Sequence, residues 1–188
     1  MTNNELVLLN ECFNNCSHYL EFGSGKSTEI AVKNQHIQSI HSVESSKRFV
    51  EQKLLPIKEI QIAVESKKLH FHCVDIGQTG QYGYPVDHAT KESWPVYSDI
   101  VRDLSPDWDL ILIDGRFRVA CLLNVLLHIN SNCKILFHDF WNRNEYHEVL
   151  NFLDVIKSVD SFGLFTKRNI YDEALVKSLY ESYKYIPT

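Results

Sequence analysis

The run Tyr19-Leu20-Glu21-Phe22-Gly23-Ser24-Gly25-Lys26-Ser27-Thr28 carries the residue types that most directly imply ligand chemistry. It reads as a short buried strand, a glycine turn and a helix start. Gly23 and Gly25 let main chain approach a ligand with no Cβ in the way, and Ser24 sits in the turn between them. Ser27 and Thr28 are expected to cap the helix that follows, whose free N–H groups favour an anionic group. Glu21, two residues before the first glycine, is expected to take a cationic amine. A ligand carrying both a carboxylate and an ammonium suits this set, and S-adenosylmethionine is such a ligand.

Three nucleotide sites compete for these residues. A phosphate loop of the form G-x-x-x-x-G-K-[ST] would end in Gly25-Lys26-Ser27, but its first glycine would fall at Leu20, so the cradle is incomplete. The dinucleotide pattern G-x-G-x-x-G fits Gly23 and Gly25 and fails at Thr28, where a third glycine would let helix and strand pack closely. That failure weakens a nicotinamide-dependent oxidoreductase. E-x-G-x-G fits without exception, and it resembles the first motif of Rossmann-like methyltransferases. A glycine turn that binds nothing is the alternative.

Four further acids, Glu44, Asp75, Asp114 and Asp139, each close an apolar or β-rich run. In an open α/β sheet, ligands sit beyond the carboxyl ends of the strands. Glu44 follows Gly23 by 21 residues, the distance at which an acid reaches ribose hydroxyls, and its two oxygens suit both of them. Asp75, with Ile76 beside it, stands where an adenine amino group would donate. Asp114 and Asp139 are expected to face one another across an acceptor pocket. Their repulsion would raise the pKa of one and make it a base near neutrality. His138 is another candidate base if it faces the ligand edge. Adjacent strand residues alternate, so the opposite side of the sheet is equally open to it. Arg116 and Arg118 after Asp114, and Arg143 beyond Asp139, either stay solvated or bind an acidic substrate.

These residues need an alternating scaffold. Leu6, Leu9 and Phe13 predict a helix over 4–16. Strands are expected over 17–22, 37–44, 68–75, 109–114 and 134–138, and helices over 27–33, 46–55, 116–128 and 145–157. Two short strands within 159–166 are expected to turn at Gly163, and a last helix to span 171–185. The alternation predicts an α/β fold, a mostly parallel sheet with helices on both faces and an antiparallel terminal hairpin. Residues 76–95 break the pattern with glycines, prolines and the aromatics Tyr82, Tyr84 and Trp94. A loop of that length reads as a lid or substrate wall over the pocket, or as an insertion packed on the surface. His70 and His72 share a strand face without a visible third metal ligand.

At 188 residues the chain is expected to form one domain over 1–188, with a core spanning 17–167. A net charge of -5 argues against a general nucleic-acid surface. The first segment is polar and has no visible signal, and the apolar runs are too short for a bilayer, so no membrane partner is expected. Five cysteines, an odd number with apolar neighbours, predict reduced thiols and a cytoplasmic protein. Cys12 and Cys16 are expected to share a face of the first helix and to pack rather than bind metal.

Together, E-F-G-S-G at 21–25, V-E at 43–44, V-D at 74–75 and D-L-I-L-I-D-G at 109–115 resemble the class I S-adenosylmethionine-dependent methyltransferases. The resemblance covers about residues 17–167. It implies a Rossmann-like sheet of seven strands, S-adenosylmethionine as cofactor and a small-molecule acceptor, with a hydroxyl among the options. It also implies that Gly23 and Gly25 flank the methionine part, that Glu44 holds the ribose and Asp75 the adenine end, and that Asp114 lies near the methionine group or the substrate. D-G-R-F-R at 114–118 and F-H-D-F at 137–140 resemble small bacterial methyltransferase-like proteins of unassigned substrate. Catechol-type O-methyltransferases hold a metal between acids at similar strand ends, and there asparagine follows the second acid. Phe140 follows Asp139 here, so Mg²⁺ is not favoured. A non-catalytic Rossmann-like protein that binds S-adenosylmethionine or a nucleotide is the alternative function.

Overall fold

Seven strands form one sheet in the computed structural model, which describes residues 1–104 and 107–188. In chain order the elements begin with α1 (Asn3–Phe13), β1 (His18–Phe22), α2 (Lys26–Lys33), β2 (Ser39–Glu44) and α3 (Lys47–Phe49), which runs on as a π turn over Val50–Leu54. Then come α4 (Lys58–Glu65), β3 (Leu69–Cys73), α5 (Pro95–Asp99), β4 (Leu110–Ile113), α6 (Arg118–His128) and β5 (Lys134–Phe137). The chain closes with β6 (Leu153–Val159), β7 (Phe162–Lys167) and α7 (Glu173–Tyr183).

The strand order is β3-β2-β1-β4-β5-β7-β6. The first five strands are parallel, and β7 runs antiparallel to both β5 and β6. Alternation within β4 shows why the sheet needs helices on both sides. Leu110 and Leu112 pack into a cluster with α1, α2 and α4, while Ile111 and Ile113 pack into another with α5, α6 and α7. All four are buried, as a central parallel strand requires.

Several boundaries depart from the sequence expectation. α1 ends at Phe13, so Cys16 lies beyond the helix, although it joins Cys12 in the same buried cluster. All five cysteines are free, and burial raises the Cys12 and Cys16 thiols to about 11 and about 12. A helix absent from the sequence reading, α4, follows Pro56, with Ile60 and Ala63 buried. The helix expected over 145–157 is instead a 3₁₀ helix over Asn144–Phe152 followed by a strand. Its buried residues Tyr146, Val149 and Phe152 repeat every third position, the period of a 3₁₀ turn. The hairpin accordingly turns upstream of Gly163, at Asp160 and Ser161, with Asp160 at φ 50°.

Candidate functional site

The strand order reverses between β1 and β4, and the turns after these two strands meet there. Gly23 has φ +96°, and a Cβ on it would come within 2.7 Å of the Gly115 main chain. Both constraints require glycine at 23. A Cβ on Gly25, by contrast, meets nothing within 4 Å. The open space belongs to a cleft at the carboxyl edge of the strands, where an α/β sheet takes ligands. A cavity of about 860 Å³ here is lined by Ser24, Glu44, Tyr84, Asp114, Arg116 and His138, among others. A smaller recess of about 200 Å³ is lined by Gly23, Gly25, Ser27 and Asp114.

Glu44 ends β2 at the cavity wall. Its Oε2 accepts from the Ser24 N–H at 3.2 Å and its Oε1 from the Ser46 N–H at 2.9 Å. The two main-chain donors fix the carboxylate and leave it lone pairs for a ligand.

Glu21 departs from expectation. It is fully buried, and its carboxylate accepts the hydroxyls of Tyr19 at 2.9 Å, Ser27 at 2.5 Å, Ser42 at 2.7 Å and Thr28. Burial raises its pKa against the pull of these donors. Phe22 still follows it within β1, so its side chain stands perpendicular to the sheet and under α2. It does not line the cavity. Ser27 and Thr28 are turned inward with it. Ser27 does not cap α2 as expected, and Thr28, its third residue, supplies only the reciprocal half of a capping box. Thr28 Oγ1 instead accepts the Gly25 N–H at 2.9 Å, which closes the glycine turn from beneath.

Asp75 and Ile76 are also displaced from the expected role. β3 stops at Cys73, so Asp75 lies outside it, exposed, and accepts the Gly77 N–H at 2.9 Å. Neither residue lines the cavity. Ile76 is a core residue whose carbonyl accepts the Thr90 hydroxyl at 2.7 Å and the Trp94 indole N–H at 3.1 Å. Trp94 is therefore no substrate wall. It is 2% exposed and packs on Phe117 at 5.7 Å between ring centroids. Tyr82 and Tyr84 do line the cavity, and Tyr82 is 78% exposed at φ 56°.

At the ends of β4 and β5 the structure brings Asp114, His138 and Asp139 together, with Arg118 between the two acids. Arg118 pairs with Asp114 at 3.2 Å and with Asp139 at 3.0 Å, and it donates to the His138 carbonyl at 2.7 Å. The expectation that one acid becomes a raised-pKa base is overturned for Asp139. Burial pushes its carboxyl up, but His138, Arg118 and Arg143 together hold it below the usual range. Neutralising cations outweigh the repulsion between acids. The His138 ring lines the cavity, with Nδ1 2.7 Å from Asp114 Oδ1 and Nε2 3.6 Å from Oε2 of Glu5.

Glu5 has no role in the sequence reading. It is 1% exposed and accepts from the Thr2 N–H at 2.7 Å and from the Ser161 N–H and hydroxyl at 3.0 and 2.6 Å. Thr2-x-x-Glu5 is legible as a capping box, but nothing in the sequence joins it to His138. Arg116 is the other surprise. It is 6% exposed, its Nε and Nη1 have no hydrogen-bond partner among the described residues, and its guanidinium lies over the Tyr84 ring at 4.1 Å.

The sequence matches no family model and no curated protein. Solved structures do match. A methyltransferase-like protein from Silicibacter pomeroyi DSS-3 is 25% identical, covers 100% of this chain and 96% of its own, and gives a TM-score of 0.82. Cofactor-bound Rv0187 from MTB is 14% identical over 90% of this chain and 82% of its own, with a TM-score of 0.61. The N-methyltransferase NodS from Bradyrhizobium japonicum WM9, in complex with S-adenosylhomocysteine, is 12% identical over 88% of this chain and 86% of its own, with a TM-score of 0.53. This chain has the class I S-adenosylmethionine-dependent methyltransferase fold.

The residues present fit the cofactor of that fold on two counts. The glycine turn leaves open space at Gly25, and Glu44 keeps free acceptor capacity beside it. They fit a metal less well. Asp139, the second acid, is already held by Arg118 and Arg143. Among the described residues, no group of three or more His, Cys, Asp or Glu side chains is arranged to hold a metal. Among the same residues, no helix is long and apolar enough to cross a membrane.

Proposed function

We propose that the chain is an S-adenosylmethionine-dependent methyltransferase acting on a hydroxyl-bearing small molecule. One observation carries the reading: the glycine turn, the Glu44 carboxylate and the Asp114–His138 pair open on the same cavity, at the edge of the sheet where ligands bind. The cofactor supplies an electrophilic methyl group when bound. Ser24 and the main chain of Gly23 and Gly25 would border its methionine part, and Glu44 would accept the ribose hydroxyls. Methyl transfer is an in-line displacement, so the residues of the chain act by alignment and by excluding water. Asp114 would accept the proton of the acceptor hydroxyl, and His138, whose Nδ1 stands 2.7 Å from Oδ1, would donate to that carboxylate and orient it. The segment bearing Tyr82 and Tyr84 would shield the reacting centre.

Calorimetry with S-adenosylmethionine, S-adenosylhomocysteine and ATP tests the reading. The first two are expected to bind and ATP not to, and binding of ATP alone would sink it. Glu44→Ala is expected to weaken S-adenosylhomocysteine binding by about 1–3 kcal/mol, the scale of hydrogen bonds to a charged group. A non-catalytic cofactor-binding protein is the second reading. It is favoured by one feature, the pairing of both Asp114 and Asp139 with Arg118, which employs the acids structurally. Turnover of S-adenosylmethionine in an acceptor screen separates the two.

A further inference from the structure

We infer that the acceptor carries an anionic group, a carboxylate or a phosphate, held in the cavity by Arg116 and Arg143. This rests on the methyltransferase reading and adds the substrate class to it.

Arg116 is the observation that points to a ligand. Its neighbour Arg118 is neutralised by two carboxylates, and Arg143 donates to Asp139 at 3.2 Å and to the Tyr146 hydroxyl at 3.3 Å. Among the described residues, no carboxylate pairs with Arg116, and two of its nitrogens have no partner. A guanidinium buried without a counter-charge is costly. The cost falls when an anion enters, and guanidinium geometry suits carboxylate and phosphate oxygens.

The surroundings hold Arg116 in place. The Tyr84 ring covers its planar face at 4.1 Å. A Cβ on Gly83 would come within 3.6 Å of the Arg116 side chain, so the 81–84 turn lies against its stem. Tyr84 feels both cations. Burial pushes its phenol up, but Arg116 and Arg143 together bring it below its ordinary range. Arg116 and Arg143 both line the cavity beside Tyr84, and Asp114 and His138 line it too, so an anion bound there would share the cavity with the Asp114–His138 pair.

The same guanidinium chemistry would suit the carboxylate of the cofactor, so the test separates the two sources. Phenyl phosphate and benzoate are titrated into protein saturated with S-adenosylhomocysteine, with benzyl alcohol as the neutral probe. At least one anion is expected to bind tenfold or more tightly than benzyl alcohol. Arg116→Gln and Arg143→Gln are each expected to weaken that anion tenfold or more. Arg116 is buried, so its variant risks misfolding. Arg143 is one-third exposed, and if Arg116→Gln does not fold, Arg143→Gln decides alone. Anions that bind no better than benzyl alcohol, or bind the variants unchanged, overturn the inference. So does an Arg116→Gln protein that loses S-adenosylhomocysteine to the same degree, since the arginine would then serve the cofactor. If S-adenosylhomocysteine does not bind the parent protein, the methyltransferase reading falls, and the anion titration without it still decides the subsite.

Discussion

Asp139 shows how one backbone angle decides the character of a side chain. Its φ of 60° turns the residue back from the end of β5 onto Arg118 and Arg143. Asparagine tolerates that left-handed conformation, so Asp139→Asn removes charge without backbone strain. It is expected to destabilise the fold by about 1–3 kcal/mol, the range for a hydrogen bond to a charged group. The sign with pH follows from a lowered pKa. The contribution is complete above the ordinary value of 3.8 and is lost as pH falls through the lower folded value. Urea melts of the parent and Asp139→Asn proteins are therefore expected to differ at pH 7 and to converge in acid, and a gap that does not narrow as pH falls below 3.8 would remove the charge argument. Glu21 is the opposite case. The motif around it was legible, but its direction was not, because a strand residue points to one face or the other and only the packing of α2 settles which.

At the scale of elements, residues 76–95 were legible as irregular and aromatic, but not as to which aromatics face inward. Trp94 precedes the proline that opens α5, and its ring goes into the core, where its N–H holds the Ile76 carbonyl. The segment is thus anchored at its far end and exposed at Tyr82. Trp94→Phe keeps most of the packing and leaves that carbonyl one donor short. It is expected to cost about 1–3 kcal/mol in chemical denaturation and to leave S-adenosylhomocysteine affinity within twofold. A selective loss of affinity with full stability would return Trp94 to the cavity wall. The hairpin departs from the sequence expectation for a different reason. β6 is an edge strand with Val155 and Ile156 half exposed, so it lacks the buried alternation by which strands are read, and the helix-compatible run before it obscured its start.

Across the whole molecule, β1, β2 and β3 bring four histidines to one region, a grouping that no sequence spacing announces. His41 Nδ1 lies 3.0 Å from His72 Nε2, and its ring lies 4.8 Å from that of His70 and 5.0 Å from that of Trp108. Burial, then His72, His70 and His18, lower its pKa from 6.5 to about 4. The folded protein keeps the ring neutral where the unfolded chain would protonate it. This contribution is full above pH 6.5 and fades as pH falls toward 4. Melting temperature is expected to drop across that window, and His41→Phe to shrink the drop. An equal drop in both proteins would place the acid sensitivity elsewhere. The sequence by itself determined the alternating α/β order, the parallel centre, the glycine turn at 23–25 and the acids that end β2, β4 and β5. Each is a local property, set by periodicity, by missing Cβ atoms or by position at a strand end. Only the tertiary structure decided that Glu21 is buried, that Arg118 links Asp114 to Asp139, that Glu5 reaches His138 from 133 residues away, and that Arg116 is buried with no carboxylate paired to it among the described residues. Those are facts of which side chains face each other across elements, and they depend on register and packing, which residue spacing does not encode.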